Sequence, residues 1–271
     1  YEKQLIRDSQ VWQWYVRYHG LGKKLQAGDY VIQRNLTFEE IVEILQNGRS
    51  AEVRITIPEG STIRQIDNIL AKKNLIESGD FIDCTNTCDL GFRIEALEGF
   101  LFPSTYYESV RNFNVRRFVQ RLYNTWRQQI KPFESDILAG RSTRDVMIVA
   151  SMIEREAFGD SFEEKQMIAD VIWKRLDEGI ALGIDATTRY AKDDWDGPLY
   201  TQDFDASKPY DTRRRLGLPP TAISNPGIDS IKAAIYPTDT DYYYYLHDNK
   251  GQVHFGRTLE AHNENKWRYL K

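Results

Sequence analysis

Glu156 stands where a carboxylate could do acid–base work. Helical spacing over Val146 to Phe158 gathers Val146, Val149, Ala150, Ile153 and Ala157 on one side, and Glu156 falls within about 40° of that cluster's centre at 100° per residue. Glu154 and Arg155 fall well outside it. A carboxylate on an apolar face loses hydration, which disfavours its ionised form and raises its pKa, the condition a general acid needs near neutrality. The same position also suits a carboxylate that pairs with a cation or caps a neighbouring element, and the pattern alone leaves both readings open. Glu154 and Glu156 are two apart and project to nearly opposite faces, so they cannot form a glycosidase carboxylate pair by themselves.

Other chemistries find less support. The histidines, His19, His247, His254 and His262, show no ligand spacing, and Cys84 and Cys88 have no second cysteine pair, so no metal and no cofactor is expected. Cys84-Thr-Asn-Thr-Cys88 reads as a local disulfide in an oxidising compartment or as two free thiols.

The elements that must position Glu156 follow from pattern. Ser142 or Thr143 caps its helix, Asn114 to Ile130 supplies a helix before it, and Glu163 to Glu178 one after it. Glu2 to Tyr18 reads as an amphipathic helix. A shift of 25 residues then superposes Thr37 on Thr62, Phe38 on Ile63, Ile41 on Ile66, Ile44 on Ile69 and Leu45 on Leu70. Each copy is a strand (Tyr30 to Gln33, Val53 to Ile57), a turn and a helix. Thr37-x-x-Glu40 and Thr62-x-x-Gln65 are capping boxes. Periodicity is poor from Ile76 to Pro103. Tyr242 to His247 and Val253 to Phe255 read as strands joined by a hairpin turn at Asn249-Lys250-Gly251.

The expected fold class is α+β. An N-terminal helix over 1–24 and a small α+β module over 25–80 precede a larger, helix-led α+β domain over 81–271. The 271 residues suffice to bury roughly three quarters of the unfolded surface. A formal net charge of −4 excludes a nucleic-acid binder driven by bulk positive charge. No run reaches the roughly 18 apolar residues of a membrane span, the best being Val146 to Ile153, which contains Ser151.

Ala150-Ser151-Met152-Ile153-Glu154-Arg155-Glu156 resembles the catalytic segment of the YceG-like (MltG) endolytic murein transglycosylases. Further motifs follow in that family's order. They are Leu97-Glu98-Gly99-Phe100-Leu101-Phe102-Pro103-Ser104-Thr105-Tyr106, then Val171 to Leu176 with Gly183-Ile184-Asp185, then Tyr210-Asp211-Thr212. Gly217-Leu218-Pro219-Pro220, Ile223-Ser224-Asn225-Pro226-Gly227 and His254-Phe255-x-x-Thr258-x-x-x-His262-Asn263 complete the series. The sequence departs from the family pattern at Ala186, where proline is usual, at Asp211, where asparagine is usual, and at Lys174, also usually asparagine.

The resemblance implies a lyase that cuts the β-1,4 bond between N-acetylmuramic acid and N-acetylglucosamine inside a glycan strand. Glu156 would protonate the leaving oxygen and then accept the proton of the muramoyl C6 hydroxyl as a 1,6-anhydro ring closes. An internal hydroxyl of high effective molarity replaces the water of a hydrolase, so one carboxyl suffices. The matched positions Glu98, Phe100, Phe102, Tyr106, Asp185, Thr187, Tyr190, Tyr210, Thr212 and Asn225 are implied substrate-groove residues. His254 and His262 read as structural, and Tyr242 to Tyr245 as a strand with both faces aromatic, a sugar platform being the weaker alternative. The module over 25–80 would be LysM-like. The implied partners are peptidoglycan strands and penicillin-binding synthases, at the outer face of the cytoplasmic membrane, with an anchor expected upstream of Tyr1. A hydrolase with Asp185 or Glu98 as base, and a non-catalytic wall-binding adaptor, are the alternatives.

Overall fold

The computed structural model describes residues 9–27, 30, 37–46, 52–110, 112–159 and 161–270. Contacts divide the chain into two compact units, 1–56 with 105–114, and 57–104 with 115–271. This partition differs from boundaries at 24/25 and 80/81. It also cuts the second copy of the quasi-repeat, placing its strand in the first unit and its helix in the second.

The first unit holds α1 (Ser9–Tyr18), α2 (Phe38–Gln46), β1 (Glu52–Thr56) and β2 (Thr105–Ser109). The expected helix from Glu2 is described only from Ser9, and the strand expected at Tyr30 to Gln33 lies outside the described residues apart from Tyr30. The capping box ahead of α2 is formed. The Glu40 N–H donates to Thr37 Oγ1 at 3.3 Å and the Thr37 N–H to Glu40 Oε2 at 2.7 Å. β1 pairs antiparallel with β2, a strand that the aromatic stretch around Tyr106 did not signal, and the register sets Ile55 opposite Tyr106. Both are buried, so this cross-strand pair forms the apolar side of the ribbon.

The second unit is helix-led. α3 (Ile63–Lys72) begins at the second capping box, Thr62 with Gln65. α4 (Asp80–Thr87) follows, then α5 (Val115–Ile130), α6 (Glu134–Gly140), α7 (Thr143–Glu156), α8 (Phe162–Asp177), α9 (Asp185–Lys192) and α10 (Ile228–Ile235). The hairpin of β3 (Tyr244–His247) and β4 (Val253–Gly256) is antiparallel, and α11 (Leu259–Tyr269) ends the unit. The disulfide alternative is realised, since Cys84 and Cys88 are bonded one turn apart at the end of α4. α4, α9 and α10 have eight residues each, barely two turns, too short to show a period in the sequence. Among the described residues no helix is long and apolar enough to cross a membrane.

The core of this unit is α7. From Val146 to Ile153 every residue is buried, against α8, α10 and the Phe100–Trp126 pair, whose rings meet edge to face at 4.8 Å. Gly99 lets the chain pass close by. Its φ is +92°, and a Cβ there would stand 2.5 Å from the Ala222 Cβ. Gly99→Ala is expected to destabilise the protein by about 2 kcal/mol or more, through strain and overpacking together. Urea denaturation of the two proteins measures it.

Candidate active site

α7 starts at Ser142, whose hydroxyl accepts the Asp145 N–H at 3.1 Å, and stops where Ala157 turns extended (φ −70°, ψ 135°). The helix is therefore two residues shorter than its periodicity suggested, and Glu156 is its last residue. Its three terminal charged side chains diverge. Glu154 Oε2 accepts the Gly227 N–H at 3.1 Å and the Ser230 hydroxyl at 2.6 Å, a carboxylate at the N-terminus of α10, with Lys165 Nζ 3.9 Å away. Arg155 lays its guanidinium 3.5 Å from the centre of the Trp195 ring and donates to Gly60 O at 3.4 Å.

Glu156 faces a polar cavity of about 290 Å³, lined also by Arg175, Asp185, Arg213, Tyr245 and Lys266. As a residue it is partly exposed, but packing around its carboxyl group is dense enough that desolvation dominates and pushes its pKa up to about 7. The Tyr245 hydroxyl, donating to Oε2 at 3.2 Å, opposes the rise. So do the Ala186 N–H and the Arg213 charge, while the charge of Asp185 adds to it. The Ala186 amide belongs to the first turn of α9, where unpaired N–H groups favour negative charge. Asp185 is bound at both oxygens by Arg213, at 2.6 and 2.8 Å. Its two oxygens are thus engaged by one guanidinium.

A second buried carboxyl, Glu98, sits apart from this cavity. It accepts the Ile63 N–H at 3.1 Å, the Tyr190 hydroxyl at 3.1 Å and the Asn225 side-chain amide at 2.8 Å. Burial pushes its pKa up to about 7 against the pull of these donors. Asn225 also donates to Ser61 O at 2.9 Å, and its Oδ1 accepts the N–H groups of Gly99 and Leu101 at 3.0 and 2.9 Å. All its hydrogen-bonding capacity is spent within the protein.

The sequence-derived residues thus separate by role. Glu156 and Asp185 line one cavity. Thr187 and Thr212 are buried, their hydroxyls 3.1 Å apart, and both donate to Ile184 O; the Ile184 N–H donates to Thr212 Oγ1 at 3.0 Å. They fix the start of α9 and leave no surface for a ligand. Tyr190 bonds Glu98, and the Tyr210 hydroxyl lies 2.8 Å from Thr221 Oγ1; both line a second cavity of about 270 Å³ next to Glu98. Phe100 is core, Phe102 packs against that core, and Tyr106 is buried in β2 of the first unit. His254 bonds Asp248 at 3.1 Å and stacks on Tyr269. Sequence reasoning missed Tyr245, Arg213, Arg175 and Lys266. The alternation expected over Tyr242 to His247 was the available signal for Tyr245, but its partner, Glu156, lies on another element.

The YceG-like family model matches residues 1–268. An endolytic murein transglycosylase of Bacillus subtilis is 28% identical over 98% of this chain and 79% of its own length. One of Streptococcus pneumoniae is 24% identical over 96% of this chain, which spans only 53% of that relative. The 2.6 Å crystal structure of a yceG-like protein from Listeria monocytogenes superposes with a TM-score of 0.71 at 28% identity, covering 97% of this chain and 92% of that one.

Glu98 makes stability depend on pH. Its folded-state pKa of about 7 lies above the ordinary 4.5, so the native state holds the proton more tightly than the unfolded state does. Stability from this group is full below about pH 4.5 and is lost as pH rises through about 7, by at most about 1.4 kcal/mol per pH unit. Urea unfolding of wild type and Glu98→Gln at pH 5 and pH 8 isolates the effect. The difference between them is expected to shift in favour of the variant at pH 8, and a pH-independent difference would disprove the assignment.

Proposed function

Because the chain belongs to the YceG-like family, we propose that it is an endolytic murein transglycosylase with Glu156 as its single general acid and base. The observation that carries this reading is a carboxyl of pKa about 7 at the end of α7, facing a polar cavity in which the neighbouring carboxylate, Asp185, is paired with Arg213. A raised pKa keeps Glu156 protonated for the first step, donation to the glycosidic oxygen as it leaves. The glutamate then carries a negative charge, which the Tyr245 hydroxyl, the Ala186 N–H and Arg213 are placed to stabilise.

In the second step this carboxylate takes the proton of the muramoyl C6 hydroxyl, and the oxygen closes on C1 to form the 1,6-anhydro ring. No water is consumed, which fits a site with one free carboxyl. A hydrolase would need a second carboxylate as base or nucleophile, and both candidates are engaged, Asp185 with Arg213 and Glu98 with its three donors. The wall-binding adaptor alternative gives no role to a protonatable carboxyl that faces open volume.

The wider setting comes from the resemblance. The enzyme cuts within nascent strands and releases them, at the outer face of the cytoplasmic membrane, beside penicillin-binding synthases. A LysM-like module over 25–80 holds glycan, and an N-terminal anchor fixes the protein to the membrane.

Mass spectrometry of digested glycan strands tests the reaction. Anhydromuramoyl ends are expected, and Glu156→Gln is expected to lower their rate of formation by about 10²–10⁴-fold. Ordinary reducing ends would move the protein to the hydrolases. The pH profile carries a second test. Activity should fall as pH rises through about 7, because the acid form of Glu156 is lost. Tyr245→Phe removes a bond that stabilises the carboxylate, so the falling limb should move to higher pH while the rate drops.

A further inference from the structure

The cavity beside Glu156 carries more positive charge than its chemistry consumes. Asp185 and Arg213 cancel in their two-bond pair. Arg175 and Lys266 remain, and among the described residues no carboxylate lies within ion-pair distance of either. Arg175 is anchored in place. Its Nε donates to Tyr243 O at 2.7 Å and its Nη1 to Ala181 O and Leu182 O at 3.2 and 2.8 Å, while the guanidinium carbon stands 4.6 Å from the centre of the Tyr244 ring.

Carbonyls orient this guanidinium without neutralising it, and Nη2 makes no hydrogen bond among the described residues. Tyr244 in turn stacks on His262 at 5.2 Å. The Nδ1 of His262 is buried and has no hydrogen-bond partner among the described residues, and burial with the charges of Lys266 and Arg175 holds the imidazole below its ordinary pKa. Lys266 stands one turn further along α11, exposed and lining the same cavity. A chain of net charge −4 thus concentrates two unmatched cationic groups on one wall of the cavity that holds its proposed acid. Such a wall is complementary to an anion, and the two N–H groups left on the Arg175 Nη2 can make charge-assisted bonds to a carboxylate.

We propose that Arg175 and Lys266, with His262 packed behind them, form a carboxylate-binding subsite beside Glu156, which holds a carboxylate carried by the muramoyl unit under cleavage. The inference rests on the transglycosylase reading for its substrate. Such a carboxylate has two sources: the lactyl group of a muramoyl sugar without its peptide, or the stem peptide of one that retains it. Binding at this wall would align the sugar relative to Glu156 by a charge-assisted contact remote from the breaking bond.

Binding is measured by calorimetry in the non-cleaving Glu156→Gln background, with and without Lys266→Glu, on three soluble ligands. These are glycan strands with intact stem peptides, the same strands with carboxylates capped as methylamides, and strands stripped of peptide by an amidase. Lys266→Glu is expected to weaken binding of carboxylate-bearing strands about tenfold, an effect reduced by salt, and to make no difference on capped strands. A loss confined to stripped strands identifies the lactyl carboxylate, and one confined to intact strands the peptide. Lys266→Gln should give a smaller loss of the same pattern, and melting curves check that each variant is folded. Equal loss on capped strands, or no loss on any, overturns the subsite. Cleavage assays with the unsubstituted glutamate separate the two ideas. Carboxylate-dependent binding without cleavage sinks the enzyme assignment alone, whereas cleavage without charge dependence sinks the subsite alone.

Discussion

The side-chain amide of Asn225 is the constraint on which the geometry of the second unit depends. It joins Ser61, Glu98, Gly99 and Leu101, positions more than 120 residues away in the chain. The segment that carries it is tied to α7 as well, through the Ile223 N–H donating to Ser151 Oγ at 3.0 Å and the Ser224 hydroxyl donating to Ser151 O at 3.2 Å. Glu98, held by Asn225, in turn accepts Tyr190 of α9. α9 is therefore fixed near its C-terminal end by one buried carboxyl, while its first turn offers the Ala186 amide to the other. The carboxyl proposed as acid and base at the end of α7 and the helix whose first turn faces it are registered through one asparagine.

Two carboxyls share a pKa near 7 for the same physical reason, burial, and have different neighbourhoods. Glu98 is surrounded by three donors and sits at the N-terminus of α3, a position that locks segments together. Glu156 has one side-chain donor, one backbone amide and open volume in front of it. A perturbed pKa alone would not separate them; access and unsatisfied capacity do.

How far the site was legible in the sequence depends on range. The amphipathic face of α7, a local pattern, places Glu156 on a buried side but leaves its role open, and only the motif resemblance singles it out, whereas the capping boxes at Thr37 and Thr62 are readable directly. The positions of Thr187, Thr212 and Asn225 along the chain could be picked out by motif, but not their work, because their hydrogen bonds run to segments 25 to 164 residues away. Strand alternation in Tyr242 to Tyr245 could not say which tyrosine meets which carboxylate. Short helices such as α9 gave no period, and β2 was hidden in an aromatic stretch whose pairing with β1 spans about fifty residues.

The abrupt end of α7 has a consequence for how this protein can vary. Three consecutive residues address three separate structures: Glu154 the start of α10, Arg155 the Trp195 ring, Glu156 the cavity. Each assignment is set by rotation about the helix axis, about 100° per residue. One residue inserted or deleted between Ser142 and Glu154 would turn all three at once by about 100°, putting Arg155 (insertion) or Ala157 (deletion) where the proposed acid faces the cavity and the acid itself into packing. Point substitution can be absorbed at several places along this helix, but its length behaves as a fixed gear, and drift in the chain has to be taken up in the loops on either side.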